Sequence, residues 1–273
     1  MPYYLDNAFL LNEPWMTVVG CGGTGGFVAE SLCRLFQGRK ATIVLVDHDR
    51  VERHNLLRQN FYAEDVGEFK SKALADRLAK AYGRPVGYSV YPFREYDHDF
   101  RPHGHGYPGL PAYGDSLVIG CADNAAARRA MAECLPNDPR RWLIDAGNDT
   151  NWGQVLIGNV AERMVLDEPP FTGDTCLLAP APTLQRPDLL TAMSTRPPDV
   201  DCAAALDLTD QDATINQMMA SLVLQVVRRM VAGTCPFMGL YLDMDQGTVS
   251  PTYVTPQAVE RLVGADADPE RRA

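Results

Sequence analysis

The 273-residue sequence predicts an α/β fold built on a Rossmann-like, doubly wound and mostly parallel sheet. Short apolar runs that end at glycine or aspartate are each followed by a segment with apolar residues at helical spacing. This order repeats over about residues 15–158, as in chains of strand–helix–strand units. Parallel strands joined in this way have right-handed crossovers, with helices on both faces of the sheet.

The first half of the chain supplies the elements of this sheet in turn. Residues 16–20 are predicted as a buried strand, and the apolar positions between residues 28 and 36 as a helix. Residues 41–46 are almost all apolar, as expected of a strand covered on both faces. The elements predicted after it are a helix around residues 74–82, strands at 86–90 and 116–120, a helix at 125–135 and a strand at 142–146.

The alternation ends after a strand at residues 153–157. The next fifty residues are rich in Pro, Asp and Thr and are predicted as a long crossover loop. A long helix and a hairpin that turns at Gln246–Gly247 follow, and the residues from about Gly264 are predicted to be solvated or disordered. The apolar face of that helix is predicted from Ile215, Met218, Met219, Leu222, Val226 and Met230. We therefore predict one domain, with a core (1–158), a crossover loop (159–212), a C-terminal helix and hairpin (213–258) and a tail (259–273).

Composition excludes several classes of function. The formal net charge of −10 and the lack of a long basic run disfavour nucleic acid and anionic membranes as partners. Residues 1–15 have neither a positive region nor a long apolar stretch, so we expect no signal peptide and no membrane span. Seven cysteines without a CxxC pair argue against a disulfide framework and a Cys-rich zinc site, which favours a cytoplasmic location.

A glycine-rich turn joins the first strand to the first helix. Gly20, Gly22 and Gly25 fit the spacing GxGxxG, and Gly23 lies within it. Glycines let the backbone approach a phosphate, and a helix N-terminus favours negative charge there. Asp47, at the end of the next strand, can accept hydrogen bonds from ribose hydroxyls. The pattern predicts a nucleotide site, for which NAD would serve as well as ATP.

Polar residues after Asp47 favour ATP. Asp49 offers a second carboxylate for the ribose, and Asn55 and Arg58 follow where phosphates would project. Attack on a phosphorus atom of ATP needs cations around the developing charge and a carboxylate for Mg²⁺. A hydride-transfer enzyme seldom needs such cations beyond the pyrophosphate.

Two further segments add to this pattern. Lys70 and Lys72 begin the helix that follows the strand ending at Asp47. Asp123 and Asn124 follow the buried strand at 116–120, at the sheet edge where ligands of open α/β folds bind. We therefore expect Asp123 to carry Mg²⁺.

The motifs VVGCGGTGG, VDHDRVERHNLLRQ, VGEFK, GCADNAAAR and GQV, in this order over about residues 15–160, resemble the ThiF/MoeB/HesA superfamily of ubiquitin-activating-enzyme-like adenylyltransferases. The later segment DCAAALDLTDQDATINQ, with its helix and hairpin, resembles the ThiF-related proteins of the bacterial PRTRC cassette. Those are found beside a ubiquitin-like protein, a conjugating-enzyme-like protein and a JAB-type peptidase.

The resemblance implies that the chain uses ATP and Mg²⁺ to adenylate the C-terminal glycine carboxylate of a ubiquitin-like protein. It also implies a homodimer, and a conjugating-enzyme-like protein as a possible further partner. Several relatives bring an arginine from the partner subunit's N-terminus onto ATP, whereas the first arginine of this chain is Arg34. The implied assignments are Asp47 and Asp49 to the ribose, Asn55, Arg58 and Gln59 to the phosphates, Lys70 to the family lysine with Lys72 as the alternative, and Asp123 to Mg²⁺.

Many members of this superfamily then move the acyl group to a cysteine. A thiolate attacks an acyl phosphate readily, and its cysteine must be able to reach the adenylate. Cys202, just before the long helix, matches the position of the reactive cysteine in ThiF-like relatives. Cys176, where relatives often begin a zinc-binding CxxC that is absent here, is the alternative.

Other functions stay open at this point. A superfamily member could adenylate a sulfur-carrier protein, a peptide or a modified tRNA, although the acidic charge weakens the tRNA option. An NAD-binding oxidoreductase would explain the glycine turn but would leave Arg58 and Asp123 without a role. A catalytically silent scaffold would not need the intact motif residues. Arg128 could support the phosphates or simply cover the helix surface.

Overall fold

The computed structural model describes residues 2–10, 13–93, 116–135, 140–163, 169–191 and 213–263. Its strands are β1 (Tyr4–Leu5), β2 (Trp15–Val19), β3 (Thr42–Val46), β4 (Gly87–Ser89), β5 (Ser116–Gly120), β6 (Arg141–Asn148), β7 (Trp152–Gly158), β8 (Phe171–Thr172), β9 (Thr175–Cys176), β10 (Phe237–Asp243) and β11 (Thr248–Tyr253). Its α-helices are α1 (Gly23–Leu35), α2 (Lys70–Tyr82), α3 (Ala125–Glu133), α4 (Pro182–Gln185), α5 (Ala213–Val231) and α6 (Pro256–Val263).

Eight of these strands form one sheet in the order β11-β10-β7-β6-β5-β2-β3-β4. The five strands from β6 to β4 are parallel, and β7, β10 and β11 extend the sheet by antiparallel pairing. The predicted doubly wound, mostly parallel sheet is therefore confirmed. A separate sheet of three short strands places β1 beside β9, which ties the start of the chain to the crossover segment.

Helices cover both faces of the large sheet. Met16 and Val18 of β2 belong to the larger core, which α1, α2 and α5 share, whereas Val19 points to a smaller cluster with Met131 of α3. Successive strand residues are thus buried on opposite faces. This explains why the parallel strands read as continuous apolar runs and not as alternating ones.

The predicted long helix is confirmed as α5, but its apolar stripe differs in one position. Met219, Val226 and Met230 are fully buried, whereas Met218 is 39% exposed. At about 100° per residue, Met218 lies well away from the axis of the stripe that Met219, Val223 and Val226 define. The prediction of Met218 as a core residue was therefore wrong.

The C-terminal segment contains a helix that was not predicted. Helix α6 spans position 259, where the predicted tail begins, and its side chains Val259 and Val263 are fully buried. The residues from 264 onward, which were predicted to be solvated, lie outside the described residues. Residues 169–191 of the predicted crossover loop contain β8, β9 and α4. Within the described ranges, no helix combines the length and the apolar character that crossing a bilayer would require.

Candidate functional site

The candidate site lies at the point of the sheet where successive strands are added on opposite sides of β2. Strand β2 has β3 on one side and β5 on the other, and all three are parallel, so their carboxyl ends meet at one edge. The glycine turn follows β2, Asp47 follows β3, and the segment Cys121–Asn124 follows β5. Ligands of open α/β sheets bind at such a switch point.

The glycine turn packs tightly against its neighbours. Gly20 has a φ of +88°, and a Cβ placed on it would lie 2.8 Å from the carbonyl oxygen of Cys121. A Cβ on Gly25 would overlap the carbonyl oxygen of Gly20, so α1 can start this close to β2 only with glycine there. At Gly22 the nearest atom, Nε2 of Gln59, would be 3.6 Å away. The Gln59 side chain therefore lies beside the turn at Gly22, at ordinary contact distance.

Asp47 is fixed by two backbone donors. Its Oδ2 accepts a hydrogen bond of 2.6 Å from the Cys21 amide, and its Oδ1 accepts one of 2.8 Å from the Asp49 amide. Burial raises the pKa of this carboxyl above its usual value, and the Cys21 amide and the nearby Lys70 ammonium partly oppose that shift. Each oxygen keeps acceptor capacity for a ribose hydroxyl.

The two candidate lysines lie in different places. Lys70 is 8% exposed, and its Nζ lies 3.0 Å from Oδ2 of Asp49 at the site. Lys72 forms ion pairs with Glu68 and Asp76 on an exposed face of α2. Lys70 is therefore the lysine that the fold brings to the strand ends.

The segment after β3 forms a 3₁₀ turn over Arg53–Leu57 that Asn55 holds together. The side chain of Asn55 is buried, and its Oδ1 accepts a hydrogen bond of 2.9 Å from the Glu52 amide. The Asn55 carbonyl also accepts hydrogen bonds from the amides of Arg58 and Gln59, at 3.2 and 2.8 Å, which fixes the backbone of these residues. The Oε1 atom of Gln59 is buried and accepts no hydrogen bond from any described residue. A buried acceptor without a described donor, here beside the glycine turn, would be satisfied by a ligand that carries a donor group.

The segment after β5 offers a carboxylate and a helix cap. Asp123 is exposed at the strand end, whereas Asn124 caps α3, with its Oδ1 accepting a hydrogen bond of 2.8 Å from the Ala127 amide. Arg128 fits neither of its two expected roles, because it is buried with its Nε 3.1 Å from Oδ2 of the equally buried Asp145. Asp123 is thus the residue of this segment that presents a carboxylate to solvent.

A second group of carboxylates could also be considered for a metal. Asp47, His48 and Asp49 place ligand atoms within 4.8 Å of one another. Asp49, however, is paired with Lys70, and both oxygens of Asp47 already accept amide hydrogen bonds. A solvent-facing carboxylate without such partners suits a hydrated Mg²⁺ better, and Asp123 is exposed and pairs with none of the described residues.

Three polar residues at this edge were missed by the sequence analysis. The Thr24 hydroxyl lies 3.2 Å from Oδ1 of Asn148 and 3.4 Å from Oδ1 of Asn216, and Nδ2 of Asn216 donates a 3.3 Å hydrogen bond to the Arg58 carbonyl. One signal could have revealed Asn216. It lies seven residues before Val223, so it falls on the buried stripe of α5, where a polar side chain needs polar partners.

Of the two candidate thiols, only Cys176 lies among the described residues. Cys202 lies outside the described residues. Cys176 is fully buried in β9, and burial raises the pKa of its thiol to about 12. Of the cysteines that the structure describes, Cys121 is partly buried and the others are buried. A buried thiol with a raised pKa is a poor nucleophile.

The chain is similar to known proteins in sequence and in fold. Residues 10–258 match the model of the ThiF family. Ubiquitin-like modifier-activating enzyme 5 of Arabidopsis thaliana is 29% identical over 155 residues, which are 52% of this chain and 34% of that protein. The match thus spans about a third of the relative's length. The narrower resemblance to PRTRC-cassette proteins stays a prediction.

Solved structures of MccB from E. coli share the fold. MccB with ATP has a TM-score of 0.58 at 17% identity, and the similarity covers 94% of this chain and 66% of MccB. MccB with AMPCPP and MccA has a TM-score of 0.59 at 17% identity, with 94% and 65% covered. At such identities the likeness establishes the architecture alone.

Proposed function

The chain belongs to the ThiF family, and from this premise we propose that it is an ATP-dependent adenylyltransferase that activates the C-terminal carboxylate of a ubiquitin-like protein. The observation that carries the proposal is the gathering of the glycine turn, Asp47, Lys70 and Asp123 at the carboxyl ends of three adjacent parallel strands. The name of the Arabidopsis relative and the binding of ATP by MccB support it.

The residues of the site divide between the ribose and the phosphates of ATP. Asp47 accepts hydrogen bonds from the ribose hydroxyls, because two amides already hold its carboxylate in position. The glycine turn receives the phosphates, and the side-chain Nε2 of Gln59, which lies beside Gly22, can donate a hydrogen bond to a phosphate oxygen. Lys70 and Arg58 supply positive charge, which stabilises the negative charge that develops at phosphorus.

The reaction balances as a substitution at the α-phosphorus. A carboxylate oxygen of the carrier forms a bond to that phosphorus, and the bond to the oxygen bridging to the β-phosphorus breaks. Pyrophosphate leaves with the bonding pair, and a carrier acyl-adenylate remains. Asp123 would hold Mg²⁺, which supplies neutralisation of the triphosphate charge when it is bound.

We further propose that Cys202 then accepts the acyl group. Its thiolate would attack the acyl carbon, a thioester would form, and AMP would leave. The burial of Cys176 supports Cys202 over Cys176. A homodimer and a conjugating-enzyme-like partner belong to the same proposal.

A peptide is the second candidate substrate. The solved structure of MccB with AMPCPP and MccA favours it, since that protein of the same fold was crystallised together with MccA. A C-terminal carboxylate would be activated by the same residues in either case. The family match favours both over an NAD-binding oxidoreductase.

Exchange of labelled pyrophosphate into ATP tests the proposal. We expect exchange with a ubiquitin-fold protein that ends in a free glycine carboxylate and none with the same protein carrying a C-terminal amide. Asp123→Ala and Arg58→Ala should each lower the exchange rate at least tenfold, because each removes charge stabilisation at the triphosphate. Unchanged exchange in Asp123→Ala would refute its assignment to Mg²⁺.

Titration calorimetry with nucleotides provides an independent test that needs no carrier. The protein should bind ATP more tightly than NAD, because Lys70 and Arg58 favour a triphosphate. Tight NAD binding without ATP binding would revive the oxidoreductase hypothesis.

A further inference from the structure

We propose that Asn216 is a positioning residue that holds the Arg58 segment against the glycine turn and thereby sets the affinity for the triphosphate. The inference rests on the proposed ATP site. It assigns a role to the motif DATINQ, of which Asn216 is part and which the proposed reaction leaves unused.

Asn216 joins three elements through one buried amide. It lies in the first turn of α5 and is 4% exposed. Its Nδ2 donates to the Arg58 carbonyl at 3.3 Å, and its Oδ1 lies 3.4 Å from the hydroxyl of Thr24 in the first turn of α1. A side chain that both donates and accepts is needed to satisfy these two partners at once.

Asn216 also lies directly over the glycine turn. A Cβ built on Gly23 would overlap the side-chain amide of Asn216. The absence of a side chain at Gly23 thus gives Asn216 the room to reach the Arg58 carbonyl. The Thr24 hydroxyl, which also lies 3.2 Å from Oδ1 of Asn148, links this contact to the end of β6.

The position of the contact explains why it would affect the triphosphate and not the nucleoside. Asn216 touches the backbone of Arg58, so it fixes where the guanidinium begins without contacting a phosphate itself. Asp47, which faces the ribose, is held by the Cys21 and Asp49 amides and does not depend on this contact. Loss of Asn216 should therefore weaken ATP binding and spare adenosine binding.

A thermodynamic cycle on ATP affinity tests the proposal. Asn216→Ala should weaken ATP binding about tenfold, the scale of a buried hydrogen bond, and change adenosine binding by less than about twofold. If Asn216 acts through Arg58, the double variant Asn216→Ala/Arg58→Ala should bind ATP no more weakly than Arg58→Ala alone. Additive losses in the double variant would overturn the proposal.

Asn216→Asp covers the case in which Asn216→Ala fails to fold. It keeps an acceptor for Thr24 but loses the donor to the Arg58 carbonyl, so it should also weaken ATP binding about tenfold. Gln217→Ala is the matched control, because Gln217 is the exposed neighbour on the same helical turn and should leave ATP binding unchanged. Equal behaviour of Asn216→Asp and Gln217→Ala would overturn the proposal.

Amide hydrogen exchange of residues 53–60 without nucleotide distinguishes failure of the Asn216 proposal from failure of the proposed ATP site. Faster exchange there in Asn216→Asp than in Gln217→Ala is expected, since the segment loses an anchor. If exchange rises but neither Arg58→Ala nor Asn216→Asp alters ATP binding, the contact stands and the proposed ATP site fails. If Arg58→Ala weakens ATP binding while Asn216→Asp changes neither quantity, the ATP site stands and the role of Asn216 fails.

Discussion

Substitution of Gly20 by alanine should lower the free energy of unfolding more than the same substitution at Gly83, another glycine with positive φ. Gly20 has a φ of +88° and lies where β2 meets the segment after β5. Gly83, the C-cap of α2, has a φ of +60° but has no atom within 4 Å of an added Cβ. The pair therefore separates the cost of the backbone conformation from the cost of close packing.

The magnitude follows from adding these effects. An alanine at positive φ costs roughly 1–2 kcal/mol, and the less flexible unfolded chain returns roughly 0.4–1 kcal/mol, which leaves about 1 kcal/mol for Gly83→Ala. At Gly20 the added Cβ would also meet the Cys121 carbonyl oxygen at 2.8 Å and the adjoining carbon at 2.9 Å. Overpacking against backbone costs about 2 kcal/mol more, so Gly20→Ala should lose about 3 kcal/mol.

Thermal unfolding gives a direct measure of the difference. With an unfolding entropy of about 2.1 cal/mol/K per residue over 273 residues, a loss of 3 kcal/mol lowers Tm by about 5 °C and a loss of 1 kcal/mol by about 2 °C. Gly20→Ala should also lose ATP affinity at a temperature where it is folded, whereas Gly83→Ala should keep it.

Equal Tm values for the two variants would refute this reasoning. They would mean that β2 and the Cys121 segment can separate at no cost. A lowered Tm with unchanged ATP affinity would instead show that the turn packs the sheet but does not line the nucleotide site.

Three further predictions concern the acid, the lysines and the buried thiol. Because burial raises the pKa of Asp47, adenosine affinity should fall on acidification at a pH above that expected for an ordinary aspartate near 3.8, and Asp47→Asn should flatten this pH profile of the dissociation constant. Lys70→Ala should slow pyrophosphate exchange at least tenfold and Lys72→Ala less than threefold, since only Lys70 lies at the strand ends; the reverse order in the exchange assay would contradict the site. With a thiol pKa of about 12, Cys176 has roughly one thiolate in ten thousand at pH 8, so mass spectrometry should show alkylation by iodoacetamide only after denaturation.

The sheet could be predicted because its strands satisfy a simple physical condition. A parallel strand between two layers of helices must be apolar at every position, and residues 42–46 and 116–120 carry that signature almost without interruption. The acids at the strand ends follow from the same logic, since Asp47 is the first polar residue after a buried run.

Short and partly exposed elements were not predicted correctly, because they lack a continuous or periodic apolar pattern. Helix α6 spans eight residues, and its burial rests on Val259 and Val263, which is too little periodic signal to distinguish it from a tail. Met218 is apolar and close in sequence to the buried stripe, so composition could not show that it faces outward.

The choice between Lys70 and Lys72 needed three-dimensional information. Counting along the sequence could not decide between them. Side chains two positions apart on a helix point in directions about 200° apart, so only one of these lysines can face the site. The fold turns Lys70 toward Asp49 and leaves Lys72 among exposed acids. Asn216 was missed for a related reason, since its partners lie more than 150 residues away in the sequence.

The short parallel pairing of β1 with β9 has a practical consequence for handling the protein. The Leu5 amide donates to the Cys235 carbonyl, the Asp6 amide to the Cys176 carbonyl, and Tyr3 packs edge-on against Phe171. Residues 3–6 thus connect the crossover segment at Phe171 and Cys176 to the segment at Cys235. Trimming residues 2–6 to improve expression or crystallisation would remove these contacts. A bulky fusion attached there would lie close to the crossover segment.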